Sequence, residues 1–362
     1  MEAKRERHRR FWSPLTPGEG AYIAVQSPIS DAVDISGRFT PAVNKDNLLD
    51  TSVCVAKAEA DHANTFWGGD AIHSHFINFG PGVQAAFFGA PYVITDNSVW
   101  FDTAPPIQSW TPMPDLTMNR QHELYRAIDA HTRALCDASR GRYVVSYTDI
   151  GGQYDILYSL RGEAMLLDMF DCPEILVAAQ DNLDAAFIDY FNELTDIIRP
   201  ANLGFTNWMP IVHDVPWYPI QCDMSVLLSP KQVERFVLPS LERVSAAVGC
   251  TIYHLDGPEE IKFLDMFLSL TGVHAIQWVP LPTYTPPGWA HQVQNFADAL
   301  SLDLYRRIKK AGKKIMLYGV PAWQLQGIFD AVGADGMFIY TYTDTRKEAD
   351  ELVDAARKKW MR

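Results

Sequence analysis

The stretch TIYHLDGPEEIKFLDMFLSLTGVHAIQWV, residues 251–279, decides the fold. Apolar and β-branched residues rise into His254, and the segment stops at Gly257-Pro258. That is the mark of a short buried strand ending in a loop. Residues 258–270 read as a helix, and HAIQWV, 274–279, as the next strand. A strand, a helix and a strand joined by short connections form a βα repeat, and such repeats build parallel sheets.

The alternation continues in both directions. Toward the C-terminus it predicts helices over 295–311, 321–332 and 346–360, with strands over 314–318 and 336–341. Toward the N-terminus it predicts strands over 143–147, 207–212 and 221–226. Helices are expected over 162–170, over 173–198 with Pro173 at the start, and over 230–247 behind Ser229-Pro230. Before Gly141 the pattern is irregular. Helices are expected over 46–64 and 121–140, among the Pro- and Gly-rich pieces SPLTPGEG, FGPGVQ and DTAPPIQSWTPMPD. No GxGxxG loop follows a strand, so nothing favours a dinucleotide fold. Two further strands from the N-terminal third would close a barrel. The expected fold is therefore α/β, a (β/α)8 TIM barrel with an irregular N-terminal cap. Residues 1–140 would supply the cap and the first barrel elements, and residues 141–362 the main part of the same domain.

Composition narrows the function. The chain has 362 residues, 48% of them hydrophobic, enough for a sizeable core. The net charge of −13 leaves KRERHRR, 4–10, as the one basic cluster, which argues against nucleic acid as a partner. That run lacks the apolar core of a secretory signal, and no apolar run approaches the ~18 residues of a membrane span. A cytoplasmic protein away from the membrane is expected. The five Cys are scattered without a CxxC, which suggests neither disulfides nor a structural zinc site.

In a barrel of this kind chemistry gathers at the C-terminal ends of the strands. Those ends carry Asp149, Gln153 and Asp155; Trp208 and Trp217; Gln221, Asp223 and Ser225; His254 and Asp256; Gln277 and Trp278; Tyr318; and Tyr340 and Tyr342. Lys and Arg are missing from the set. Aromatic faces and carboxylates favour a neutral or cationic, partly apolar small molecule. His254 and Asp256 share a strand face, with Cα atoms about 6.5–7 Å apart, so they can share a metal or a water. The bland alternative is a satisfied core histidine and an aspartate capping the next helix. His73, His75 and Asn78 lie in FWGGDAIHSHFINFGPG, 66–82, where His75 or Asn78 is expected to reach the pocket. Cys222 faces away from Asp223 and makes a poor nucleophile. No GxSxG, HExxH or P-loop motif occurs.

Several stretches together resemble the uroporphyrinogen decarboxylase superfamily, which includes corrinoid and coenzyme M methyltransferases. They are NFGPGVQAAFFG (78–89), TDIGGQYDILYSLRG (148–162), QCDMSVLLSP (221–230), YHLDGP (253–258), AIQWVP (275–280) and FIYTYTDTRKEADELV (338–353). Order and spacing carry the likeness, which implies the same barrel. The porphyrinogen decarboxylases use an Arg-containing MRQAGR-type signature that this chain lacks. The methyltransferases hold zinc with a His-x-Cys pair and a later Cys. Here His254 matches the His, Asp256 stands at the first Cys, and the later Cys would fall near Thr343.

The resemblance thus implies an altered metal site with His254 and Asp256 as ligands. Tyr340, Tyr342 and His75 are candidates for a third, and zinc is the expected ion. The leading expectation is a methyltransferase-like enzyme acting on a small O- or N-methylated compound, with transfer to a corrinoid protein. In it His254, Asp256, Asp223 and Asp149 would be catalytic. Trp208, Trp217, Gln221, Gln277, Trp278, Tyr318, Tyr340, Tyr342, His75 and Asn78 would contact substrate. The alternatives are a decarboxylase-like reaction run by Asp149 or Asp223 without metal, and a binding barrel that has lost its ligands.

Overall fold

The computed structural model describes residues 2–35, 41–96, 98–101, 104–201, 203–286 and 292–362. Eight strands position the site. They are β1 (Tyr22–Pro28), β2 (Thr65–Gly69), β3 (Ser74–His75), β4 (Val144–Val145), β5 (Thr251–Asp256), β6 (Val273–Val279), β7 (Lys314–Tyr318) and β8 (Met337–Tyr342). Six form one sheet in the order β2-β1-β8-β7-β6-β5. Every pair in it is parallel except β1 with β2. The strands are rich in Ile, Val, Leu and aromatics and are buried almost throughout, as a sheet covered on both faces requires.

The hydrogen bonding continues past β5. Trp217 and Ile220 bridge Cys250 and Tyr253 in parallel. β3 pairs with β4 in parallel, and the Tyr147 amide donates to Thr206 O. Helices cover the sheet, among them Glu123–Ser139, Pro173–Ile198, Ala299–Lys310 and Arg346–Lys359. Among the described residues no helix is long and apolar enough to cross a membrane.

Several elements differ from the sequence expectation, each for a local reason. Residues 207–212 are not a strand: Asn207 Oδ1 accepts from the Met209 amide and bends the chain before Pro210. Residues 221–226 are not a strand either. The extended segment lies upstream, at Trp217–Ile220, and Asp223–Leu227 is a 3-10 turn. Gln153–Arg161 is a helix that the Gly151-Gly152 pair concealed. Gly162, at φ +67, separates it from the next helix, Ala164–Asp171. The basic run lies on a helix, Glu2–Phe11; the rings of Phe11 and of Trp12, just past its end, pack on His274.

The cap expectation needs a correction. SPLTPGEG lies at the start of β7, where Glu19 pairs with Lys314 at 3.0 Å, so it closes the N-terminal end of the sheet and not the mouth. FGPGVQ does sit at the other end, with the Val83 and Gln84 amides donating to Asp149 O and Ile150 O. Residues 104–115 pack outside, where Trp110 Nε1 donates to Asp168.

Candidate functional site

β5 delivers His254 and Asp256 to its C-terminal end, and the 3-10 turn delivers Asp223 beside them. One ligand atom from each lies within 4.8 Å of the others. Among the described residues these are the His, Cys, Asp and Glu side chains that gather closely enough to share an ion. His254 is paired with Gln277 across β5 and β6, and its Nδ1 donates to Gln277 Oε1. Nδ1 therefore carries the proton, and Nε2 keeps its lone pair for a ligand. Asp223 accepts from Gln221 Nε2 at 3.2 Å on Oδ2, while its buried Oδ1 finds no partner among the described residues. Asp256 is exposed at the opening and does not cap a helix. The N-cap is Gly257, at φ +96, without a side-chain cap bond.

More carboxylates stand behind these three. Asp155, from the concealed helix, accepts from the Asp223 amide at 3.0 Å and the Met224 amide at 2.8 Å. Glu260 accepts from the Asp256 amide at 2.9 Å and the Ser225 hydroxyl at 2.5 Å. Asp149 is half-buried near Asp155 and faces the Gly82 and Gly151 amides and the Tyr218 hydroxyl, which counter part of the rise in its pKa.

Burial is the first cause that raises all of these acids. Asp149 is pushed up to about 7, Asp155 to about 6 and Glu260 to about 8. Asp223 rises well above the carboxylate range, by burial and then by the charges of Asp155, Glu260, Asp256 and Asp149. Burial also lowers His254, with Gln277 and Asp256 opposing. Acids crowded together without a cation, an unpaired buried oxygen and an imidazole with a bare nitrogen form a donor set that fits a divalent cation.

A cavity of about 260 Å³ adjoins this cluster. Trp208 connects the two, lining the cavity and meeting the His254 ring edge-on at 5.0 Å. His75, Asn78, Tyr318 and Tyr340 line it too. Tyr318 stacks on Tyr340 at 5.4 Å and accepts from the Tyr342 hydroxyl at 2.6 Å. His75 is buried beside His62 and Tyr143, and burial drops it to about 4, so it is a neutral wall residue.

Gln221, Gln277 and Tyr342 do not line the cavity but bond Asp223, His254 and Tyr318 beside it, and two further residues expected at the pocket, Trp278 and Trp217, are elsewhere. Trp278 is in register with Leu255 and Leu317, on the face opposite His254 and Gln277, and its Nε1 donates to Ser301 Oγ at 2.9 Å. Trp217 bridges Cys250, two layers below His254, packs on Trp12 at 4.7 Å and donates to Phe205 O. The side chain that gathers with His254 and Asp256 is Asp223, where Tyr340, Tyr342 or His75 was expected. Sequence reasoning missed Glu260, Gln26, Asn207 and Trp67. The tandem acids Glu259-Glu260, four residues past Asp256, were a signal for the first. Gln26 and Trp67 belong to the N-terminal strands, which showed no regular pattern.

No protein-family model matches the sequence, and no curated protein does. Among solved structures the chain is similar to a methyltransferase from Methanosarcina mazei, with a TM-score of 0.64 and 11% identity. The likeness covers 98% of this chain and 97% of that one. At that identity it speaks for a shared fold.

Proposed function

We propose that this chain is a metal-dependent, methyltransferase-like enzyme of the uroporphyrinogen decarboxylase superfamily, built on a closed (β/α)8 barrel. Closure would run from β5 through 217–220, the 205–206 segment, β4 and β3 back to β1; the bridges of 217–220 to β5, the Tyr147 amide on Thr206 O and the β3–β4 pairing support parts of that path. The observation that carries the reading is the gathering of Asp223, His254 and Asp256 at the strand ends, beside an aromatic cavity. The substrate is a small O- or N-methylated compound, and the acceptor a corrinoid carried by a partner protein.

Asp223, His254 and Asp256 would hold the ion, with zinc favoured by imidazole and carboxylate donors. When bound, it supplies Lewis acidity to the leaving heteroatom. In the transfer the bond from methyl carbon to oxygen or nitrogen breaks, and its electron pair stays on the heteroatom. The acceptor's electron pair forms the new bond to carbon. An alkoxide left behind needs a proton at that oxygen. Asp149 and Glu260, raised to about 7 and about 8, are suited to hold one at neutral pH.

Those same two acids support a second reading, a decarboxylase-like proton transfer without metal. Metal content separates the readings. About one zinc per chain after loading, and methylcobalamin formed from cob(I)alamin and a methylated donor, are expected, with the product lost in His254→Ala. A chain that retains no metal and methylates no cobalamin would rule out methyl transfer.

A further inference from the structure

The cavity beside the acidic cluster is walled by rings from separate parts of the chain. Trp67 comes from β2, Phe76 follows β3, Trp208 comes from the bent segment after Phe205, and Tyr318 and Tyr340 close β7 and β8. Trp67 is held by its stack on His73 at 4.9 Å, which in turn stacks on His62 at 5.7 Å. No Lys or Arg lines the cavity among the described residues. Asp61 lines it, but Lys57 lies 3.1 Å from that carboxylate and offsets its charge. Recognition therefore falls to the ring faces, whose π clouds attract a cation stripped of water. Polar atoms are present as well. Gln26 Oε1, Trp67 Nε1, Asn207 Nδ2 and Trp208 Nε1 are buried without partners among the described residues. Unpaired buried groups of this kind are satisfied by a ligand or by water.

We infer that the cavity takes a methylated ammonium compound, its methylated nitrogen against Trp67, Trp208 and the tyrosines and a small hydroxyl or carbonyl on the unpaired amide and indole groups. A neutral methyl ether of the same shape would fill the volume and forgo the cation–ring attraction. The inference rests on the methyl-transfer reading only for the fate of the methyl group; the binding preference stands on the cavity.

The test is isothermal titration of the zinc-supplemented protein with choline and with 3,3-dimethylbutan-1-ol, which replaces the charged nitrogen by carbon. Choline should bind at least about tenfold more tightly. Trp67→Leu should remove most of that advantage and Trp67→Phe keep most of it. Tyr318→Leu provides a second variant, with circular dichroism confirming the fold of each. Equal affinities, tighter binding of the neutral probe, or no binding of either would overturn the inference. So would an advantage unchanged in both Leu variants. A chain that binds zinc and demethylates an ether yet treats the probes alike keeps methyl transfer and loses the ammonium preference. One that prefers choline but holds no metal does the reverse.

Discussion

Gln277 is not itself one of the candidate ligands, yet through His254 it decides which imidazole nitrogen can coordinate. Its Oε1 accepts the hydrogen bond from Nδ1–H, which keeps the proton there and leaves Nε2 open. Removing such a partner typically weakens metal affinity about 10–100-fold while every ligand stays in place. Gln277→Ala should therefore bind zinc more weakly by about that factor in a chelator competition titration, and wild-type affinity would refute the tautomer assignment. The candidate ligands should behave more severely. His254→Ala, Asp223→Ala and Asp256→Ala should each lose stoichiometric zinc and turnover while the protein stays folded, since none of the three fills the apolar core. Full turnover in the His254 and Asp256 variants would leave the pair with no chemical role. The position of Asp223 also answers the oddity of Thr343. The chain has no thiolate there, but a carboxylate from a different turn stands with the pair.

At the scale of elements, the turn that carries Asp223 is held by a helix that the sequence concealed. Asp155, in the first turn of Gln153–Arg161, accepts from the amides of Asp223 and Met224. Hydrogen bonds to a charged group are worth about 1.5–3 kcal/mol each, and burying the acid offsets part of that gain. Asp155→Ala should cost about 2 kcal/mol in urea denaturation and lower zinc affinity, whereas Asp155→Asn, which still offers a carbonyl oxygen, should cost less. Unchanged stability in Asp155→Ala would mean the turn is held by something else. The sequence concealed this helix because Gly151-Gly152 reads as a loop, and it displaced the strand at 221–226 because the Asp155 cap is a contact across 68 positions. Where local signals suffice the two agree: β5, β7 and the Pro173–Ile198 helix have the bounds that the pattern predicts. β1 was hidden because YIAVQSP is a short run next to Gly- and Pro-rich sequence, and its identity as a strand comes from pairing with β8 at the far end of the chain. Period-two alternation made His254 and Asp256 legible as a pair. It could also have excluded Trp278, which follows Gln277 directly and must face the other way. Trp67 and Gln26 reach the cavity only through the antiparallel β1–β2 pairing, which no local pattern encodes.

Over the whole molecule, two sets of buried groups make stability depend on pH in opposite senses. His8, His62, His75 and His274 are lowered by burial to about 4, 3, 4 and 4. Their folded values lie below the ordinary ~6.5, so their contribution is present above that pH and is lost as pH falls toward 4. Asp155, Asp149 and Glu260 are raised to about 6, 7 and 8, above the ordinary ~4. Their contribution is full below pH ~4 and is lost as pH rises through 6 to 8, because the folded chain must then ionise carboxyls it has buried together. An unfolded histidine is half protonated at pH ~6.5, so the histidines oppose the acids just above that pH; by pH ~7.2 they are close to neutral in both states, and the acids prevail. The metal-free protein, kept in chelator, should therefore lose thermal stability from pH ~7.2 to 8, with the histidines blunting the decline between 6.5 and 7.2. Excess zinc should flatten the decline, since a cation bound only to the folded state stabilises it and favours the ionised acids around it. Calorimetric melting at pH 6.5, 7.2 and 8.0, with and without zinc, tests this directly. Glu260→Gln supplies the control: it removes the acid raised furthest of these three, so the metal-free slope between pH 7.2 and 8.0 should shrink. A metal-free melting temperature that rises over that interval, or a slope the Glu260 variant leaves untouched, would mean that the acids behind His254 are not the groups that titrate.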